Sequence, residues 1–145
     1  MCNMSKKKSF HPKITKLNHI CSVVRDLDKA IQTYEDVYGI DPWEMGGKED
    51  FKYLPGITYV HGKQHDFRGR LAICNALNFA IEPIQPMDEK SHYAEFLREH
   101  GEGLHLSMVD IAVKSFVQTV EDRGNEAIFH GYCSGPPFTE KTPCI

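Results

Sequence analysis

The chain lacks the long apolar run that a membrane-spanning helix needs. None of its 145 residues form a stretch near the ~18 consecutive apolar residues required to span a bilayer. The basic residues Lys6–Lys8 are not followed by the apolar segment of a secretory signal. We therefore expect no membrane partner and a cytoplasmic location.

Strong charge, paired cysteines and nucleotide motifs are missing as well. A formal net charge of -3 is too small to predict a nucleic-acid partner. The five cysteines are odd in number and form no C-x-x-C pair, which indicates reduced thiols. No phosphate loop, dinucleotide fingerprint or G-x-S-x-G elbow occurs in the sequence. The sequence therefore has no motif for nucleotide chemistry or for an activated serine.

A predicted strand followed by a predicted helix opens the folded part of the chain. Residues 17–25 are rich in branched apolar side chains, as in a buried strand. Asp26 then offers N-cap chemistry, apolar residues recur at helical spacing, and Gly39 ends the pattern. His19 consequently lies near the start of a predicted buried strand.

The middle of the chain predicts a meander of short strands. Glycine and proline divide residues 43–86 into short segments, and we predict strands over 56–60, 70–74 and 78–84. A short helix follows, with Ser91 as its N-cap and Gly101 as its end. The order is strand, helix and about three strands, followed by a linking helix.

The opening pattern returns 86 residues later in the chain. The segment GLHLSMVDIAVKSFVQTVEDRG, residues 103–124, aligns with it so that His105 falls on His19 and QTVED falls on QTYED. We interpret this as a duplication of one supersecondary unit, and we expect the two copies to pack as pseudo-symmetric halves.

Two histidines at equivalent strand starts could converge on one point between the halves. Neutral imidazoles brought together are good ligands for a divalent transition metal. Glu82 lies inside the apolar run NFAIEPIQP, where a carboxylate is costly to bury without a cation. A core-edge histidine bonded to the backbone and a glutamate facing solvent are the structural alternatives.

The remaining histidines give weaker signals. His61 and His65 have i, i+4 spacing, but Gly62 between them favours a turn. His92, His100 and His130 are expected at the surface or in loops.

At these residues the chain resembles the vicinal oxygen chelate (glyoxalase/bleomycin resistance/dioxygenase) superfamily. HICSVVRDLDKAIQTYEDVYGIDPW is similar to the first strand and helix of its glyoxalase I and methylmalonyl-CoA epimerase branches, and IEPIQP with SHYAEFLREHGEGLH is most similar to the epimerase branch. The resemblance implies an α+β fold of tandem βαβββ units. We expect a disordered tail at 1–15, a first unit at 16–87, a linking helix at 88–102 and a second unit at 103–145 that lacks its last strands.

The resemblance also implies a metal centre. His19, Glu82 and His105 match the positions of three ligands for one divalent ion, which could be Zn, Co, Ni, Mn or Mg, and Glu82 would also be catalytic. Two differences from the family are visible. Epimerase-like members commonly carry two adjacent histidines where this chain has His105 alone. Counting back from Arg123 and Gly124 places His105 on the ligand position, whereas counting forward from Glu82 places it one residue early; the distance to the following helix and the trailing LSM favour the first alignment. A fourth ligand, the C-terminal glutamate, would fall beyond Ile145.

The function implied is a metal-dependent epimerase that abstracts an α-proton from a small acyl thioester or carbonyl substrate and stabilises an enediolate. A lyase like glyoxalase I and a metal-free module that binds a small ligand are the alternatives. A homodimer is implied by the family. Four acidic residues near the meander are further candidates for the general base: Glu44, Glu49, Asp50 and Asp66.

Overall fold

A computed structural model of the chain describes residues 14–45, 51–52, 58–110, 122–124, 129–135 and 138–144. The helices in this part are α1 (Leu27–Tyr38) and α2 (His92–His100). The strands are β1 (Lys16–Val23), β2 (Glu44–Met45), β3 (Phe51–Lys52), β4 (Tyr59–Val60), β5 (Lys63–Gln64), β6 (Arg68–Ile73), β7 (Ala80–Pro86), β8 (Gly103–Asp110), β9 (Phe129–Gly135) and β10 (Phe138–Cys144). The mixture of helices and sheets is the α+β class that the sequence predicts.

The larger sheet has the strand order β2-β6-β7-β1-β8, with β3 also paired to β6. The chain leaves β1, passes through α1 and the short strands β2 to β5, and returns through β6 to β7, which pairs with β1 in parallel. A parallel pair requires such a crossover, because a tight hairpin can join only antiparallel strands. The path β1, α1, β2, β6 and β7 in the larger sheet is consistent with the predicted βαβββ fold, whereas the predicted strand at 56–60 overlaps β4, which belongs to the smaller sheet.

The register of β1 against β7 decides which side chains share a face. His19 lies opposite Ala80, and Cys21 lies opposite Glu82. Because side chains alternate along a strand, His19, Cys21 and Glu82 all project from the same side of the sheet. We call this side the inner face.

A small hydrophobic core covers the inner face. Buried side chains from β1 and β7, from the region of β4 and β6, and from α2 form one cluster: Cys21, Val23, Val60, Phe67, Ile84 and Tyr93. The helix α2 packs against β1, β7 and β8, and Tyr93 carries it into this cluster. The helix α1 packs against β6 and β7, where the backbone N–H of its first residue, Leu27, donates to Gln85 Oε1 at 3.1 Å. Gln85 alternates with Ile84 along β7, so α1 covers the other face.

Both described helices have the ends that the sequence predicts. Asp26 caps α1 by accepting from the Lys29 N–H at 3.1 Å, and Gly39 ends it at φ 63°. Ser91 caps α2 by accepting from the Ala94 N–H at 3.1 Å, and Gly101 follows its last turn. In the described part of the chain, neither helix is long and apolar enough to cross a membrane.

The first strand of the predicted second unit, β8, pairs with β1 in an antiparallel direction. Antiparallel pairing of equivalent strands is what a two-fold relation between two copies produces. The predicted second helix lies outside the described residues except for its end, where Gly124 has φ 80°, close to the conformation of Gly39. The strands β9 and β10 pair with each other, and β9 also pairs with β4.

We predict that Gly39→Ala destabilises the protein, because a Cβ is strained at the φ of 63° found there even though no atom lies within 4 Å of its position. The expected loss in the free energy of unfolding is about 1 kcal/mol, measured by urea denaturation. Gly103→Ala is the matched control, since its Cβ would also meet nothing within 4 Å and its φ is outside the left-handed region. Equal stabilities of the two variants would contradict the prediction.

Candidate functional site

The structure brings His19 and Glu82 together as a buried pair on the inner face. His19 Nε2 lies 3.1 Å from Glu82 Oε2, and the two side chains are 13% and 7% exposed. They come from adjacent parallel strands. Cys21 lies directly opposite Glu82, so His19, two residues before Cys21, lies diagonally across from Glu82. The solvent-facing alternative for Glu82 is therefore wrong.

Glu82 lies among apolar neighbours, which makes its contact with His19 significant. It is flanked along β7 by buried Ile81 and Pro83, and the buried thiol of Cys21 lies opposite it. An ionised carboxylate is costly in such surroundings unless a hydrogen-bond donor or a cation compensates it. Among the described residues the imidazole of His19 lies within hydrogen-bond distance of this carboxylate, as a donor when neutral or as an ion when protonated.

Cys21 lies beside the pair on the inner face, opposite Glu82. Burial raises the pKa of its thiol far above the usual range, and the charge of nearby Glu82 raises that pKa further. The thiol is the unreactive form of cysteine, because the thiolate is both the nucleophile and the metal ligand. Cys21 therefore fills space beside the pair and contributes no nucleophile.

His105 packs against α2. Its ring centroid lies 5.2 Å from that of His92, 5.3 Å from Tyr93 and 4.8 Å from Phe96, with an interplanar angle of 89° to Phe96. Among the described residues its Nδ1 atom is buried and has no hydrogen-bond partner. Burial lowers the pKa of the ring, so it is neutral at pH 7.

The donor chemistry of the pair fits a divalent metal, since imidazole nitrogen and carboxylate oxygen are ordinary ligands of such ions. The larger predicted set is not assembled in this structure: within the residues described here, no three His, Cys, Asp or Glu side chains form a group that could hold a metal ion. Among the described residues the pair therefore supplies two ordinary donors, without a third possible ligand grouped beside them. The ligand role of His105 stays a prediction from the sequence.

The other candidates for a general base contribute little to this place. Glu44 and Asp66 are exposed, and Glu49 and Asp50 lie outside the described residues. Glu82 is therefore the described carboxylate that combines burial with a histidine partner on the inner face.

The prediction that His92 is a surface or loop residue is wrong. It is the first residue of α2 and is 6% exposed, with its ring against Phe67, Tyr93 and His105. Helical spacing places His92 and Phe96 on one side of α2, a signal that could have indicated burial. His100 is exposed, as predicted.

A second histidine–glutamate pair lies at the surface. His61 Nε2 is 2.8 Å from Glu95 Oε2, with side chains 44% and 35% exposed. His61 and Gly62 form the turn that the sequence predicts, and His61 adopts a φ of 48°. The contact joins the turn between β4 and β5 to α2. Its exposure to solvent separates it from the buried pair of His19 and Glu82.

Comparison with known proteins places the chain in a family. The profile of the glyoxalase/bleomycin resistance protein/dioxygenase superfamily matches residues 18–137. The chain belongs to this superfamily. The match includes both His19 and Glu82 and extends through β8 and β9. No curated protein matches the chain.

Solved structures of similar fold include methylmalonyl-CoA epimerases. A point variant of the Streptomyces coelicolor enzyme in complex with 2-nitronate-propionyl-CoA is 20% identical, with a TM-score of 0.52 and coverage of 86% of this chain and 82% of that one. The Mycobacterium tuberculosis enzyme is 23% identical, with a TM-score of 0.47 and coverage of 84% and 70%. At 20% identity the Streptomyces coelicolor structure supports the superfamily fold.

We predict that burial of His92 makes the protein sensitive to acid. Burial, followed by the nearby His105 and His61 rings, lowers the pKa of His92 from 6.5 to about 3. The unfolded chain therefore takes up a proton first, and stability falls as the pH drops through the window from 6.5 towards 3. Between pH 7 and pH 5 the contribution of this group to the loss is about 2 kcal/mol.

Urea denaturation at the two pH values measures this loss. His92→Phe should remove much of the acid sensitivity, because the phenyl ring keeps the aromatic contacts and takes up no proton. His100→Phe, at an exposed position of the same helix, should keep the dependence of the parent protein. The same pH dependence in His92→Phe and the parent would refute the assignment.

Proposed function

We propose that the protein is an isomerase, most like a methylmalonyl-CoA epimerase, that moves a proton at the carbon next to the carbonyl of a small acyl thioester. The observation that carries the proposal is the buried contact between His19 Nε2 and Glu82 Oε2 at 3.1 Å. A carboxylate and an imidazole so placed can accept and return a proton in surroundings of low polarity. Membership of the superfamily supports chemistry of this kind on this sheet.

Glu82 is the proposed catalytic carboxylate. It would accept the α-proton while the electron pair of the C–H bond moves into an enolate, or into an enediolate for a hemithioacetal substrate, and the proton would then return to carbon. Return to the opposite face of the same carbon is epimerisation, and return to the neighbouring carbon is the isomerisation of a glyoxalase. Where no ion is bound, the imidazole of His19 would orient the carboxylate through the contact at 3.1 Å.

His19 and Glu82 would also hold a divalent metal ion. Such an ion supplies positive charge beside the substrate carbonyl, where negative charge develops as the proton leaves. Substrate and water oxygens commonly complete the shell of an ion bound by few protein ligands. The identity of the ion among Zn, Co, Ni, Mn and Mg follows from neither residue, because all of these ions accept nitrogen or carboxylate ligands.

The acyl thioester is proposed from the similar structures. The Streptomyces coelicolor epimerase was solved with 2-nitronate-propionyl-CoA, which supports an acyl-CoA substrate for this chain. The glyoxalase I-like lyase, acting on a glutathione hemithioacetal, remains the alternative of the same chemistry. The homodimer and the cytoplasmic location expected from the sequence stay predictions.

A metal-free module that binds a small ligand is the second candidate. It is favoured by one specific observation: within the described part of the chain, His105 faces α2, and three possible metal ligands do not come together. This candidate predicts that a small carbonyl compound binds on the inner face without turnover and without a requirement for metal.

We predict that the purified protein catalyses exchange of solvent deuterium into methylmalonyl-CoA, followed by mass spectrometry with and without added metal, and that Glu82→Gln lowers the rate about 10²–10⁴-fold. Isomerisation of a glutathione hemithioacetal, assayed in parallel, tests the lyase. Glu95→Gln is the matched control, since it alters the exposed histidine–glutamate pair and should leave the rate unchanged. Loss of activity in both variants, or in neither, would contradict the assignment to Glu82.

We also predict that protein stripped with EDTA takes up one divalent ion per chain on dialysis against zinc or cobalt, measured by elemental analysis. His19→Ala should weaken this binding more than about 100-fold, because loss of a ligand costs more than the 10–100-fold lost with an outer-shell partner. His61→Ala, which alters the exposed pair, should bind as the parent does. Absence of metal from the parent, with a carbonyl ligand still bound, would support the metal-free module instead.

A further inference from the structure

His105 occupies an irregular position in β8. Cys21 lies opposite Leu106, whereas the next residue of β1, Ser22, lies opposite Leu104. The register therefore shifts by one residue at His105, and no residue of β1 lies directly opposite it. A β-bulge of this kind re-aims the side chain of the extra residue.

The side chain aimed by the bulge joins an aromatic cluster on α2. Its centroid separations from the rings of His92, Tyr93 and Phe96 range from 4.8 to 5.3 Å, within the distances at which aromatic pairs attract each other. Three neighbouring rings are enough to fix the position of the imidazole. Among the described residues the buried Nδ1 atom of His105 has no hydrogen-bond partner, so the ring acts there through its aromatic surface.

The register also identifies the β8 positions that run alongside the buried pair. Cys21, whose partner on β7 is Glu82, has Leu106 as its partner on β8, and His19 has Met108. A donor from β8 in register with the pair would have to come from position 106 or 108, and both carry apolar residues. His105 is the bulged residue beside these positions.

We infer that His105 is a positioning residue that fixes α2 against the inner face and donates no bond to a metal held by His19 and Glu82. The helix carries Tyr93 into the cluster that covers Cys21 and Ile84, so the placement of α2 shapes the surroundings of the pair. The part of this inference that concerns metal rests on the proposed function; the part that concerns α2 does not.

Two variants of His105 and one of His19 test the inference. His105→Phe keeps an aromatic ring in the cluster and removes the buried nitrogen that lacks a partner. In protein stripped with EDTA, its melting temperature should equal or exceed that of the parent, because an unsatisfied buried polar group is costly. His105→Ala removes three ring contacts and should lower the melting temperature by about 5 °C.

Zinc binding to the same proteins supplies the second measurement. His105→Phe should bind zinc with the affinity of the parent, while His19→Ala should lose it. If the parent turns over substrate, His105→Ala should lower the rate through a displaced α2 and His105→Phe should restore it.

Two results would overturn the inference. An unchanged melting temperature of metal-free His105→Ala would mean that the ring does not fix α2. Loss of zinc affinity in His105→Phe, as large as in His19→Ala, would make His105 a ligand. If the parent protein neither binds zinc nor turns over substrate, the proposed function fails, and the melting temperatures still decide the role of His105 in the fold.

Discussion

The parallel pairing of β1 with β7 is the contact on which the candidate site depends. It sets Cys21 opposite Glu82, and strand alternation then places His19 one diagonal step from the same carboxylate. The crossover through α1 and the strands β2 to β6 brings the last strand of the unit back beside the first. A register shift of one residue would turn Glu82 to the outer face, where α1 packs, and the buried pair would not form.

The buried pair is not by itself an argument for stability. Taking a carboxylate out of water costs free energy that a single partner at 3.1 Å returns only in part, and apolar replacements of buried ion pairs are often neutral or stabilising. A carboxylate kept in such a place next to an imidazole is suited to transferring a proton or holding a cation. The exposed pair of His61 and Glu95 has the same residue types, but water surrounds it and screens its charges.

The linking helix contributes more to the inner face than its place between the two units suggests. Tyr93 enters the core that covers Cys21, and the rings of His92, Phe96 and His105 join α2 to β8. The inner face is therefore enclosed by a helix from the link and a bulged strand from the second copy. The histidines of this cluster are held neutral by burial, which suits a role in packing.

Local rules in the sequence were enough to predict much of the fold. The caps at Asp26 and Ser91, the ends at Gly39 and Gly101, and the βαβββ order depend on interactions between near neighbours, and the structure confirms them. The apolar setting of Glu82 likewise indicated that the carboxylate is buried. The repeat indicated that β1 and β8 are equivalent strands, and they pair with each other.

The sequence by itself thus determined the α+β class, the order of the first unit, and the placement of His19 and Glu82 in apolar strands. Only the tertiary structure decided where the rings of His92 and His105 lie. A bulge at one residue of β8 and the packing of α2 depend on contacts between segments far apart in the chain, which periodicity and spacing do not encode. Equivalence in a repeat fixes the strand of a residue, whereas the direction of its side chain follows from register and packing.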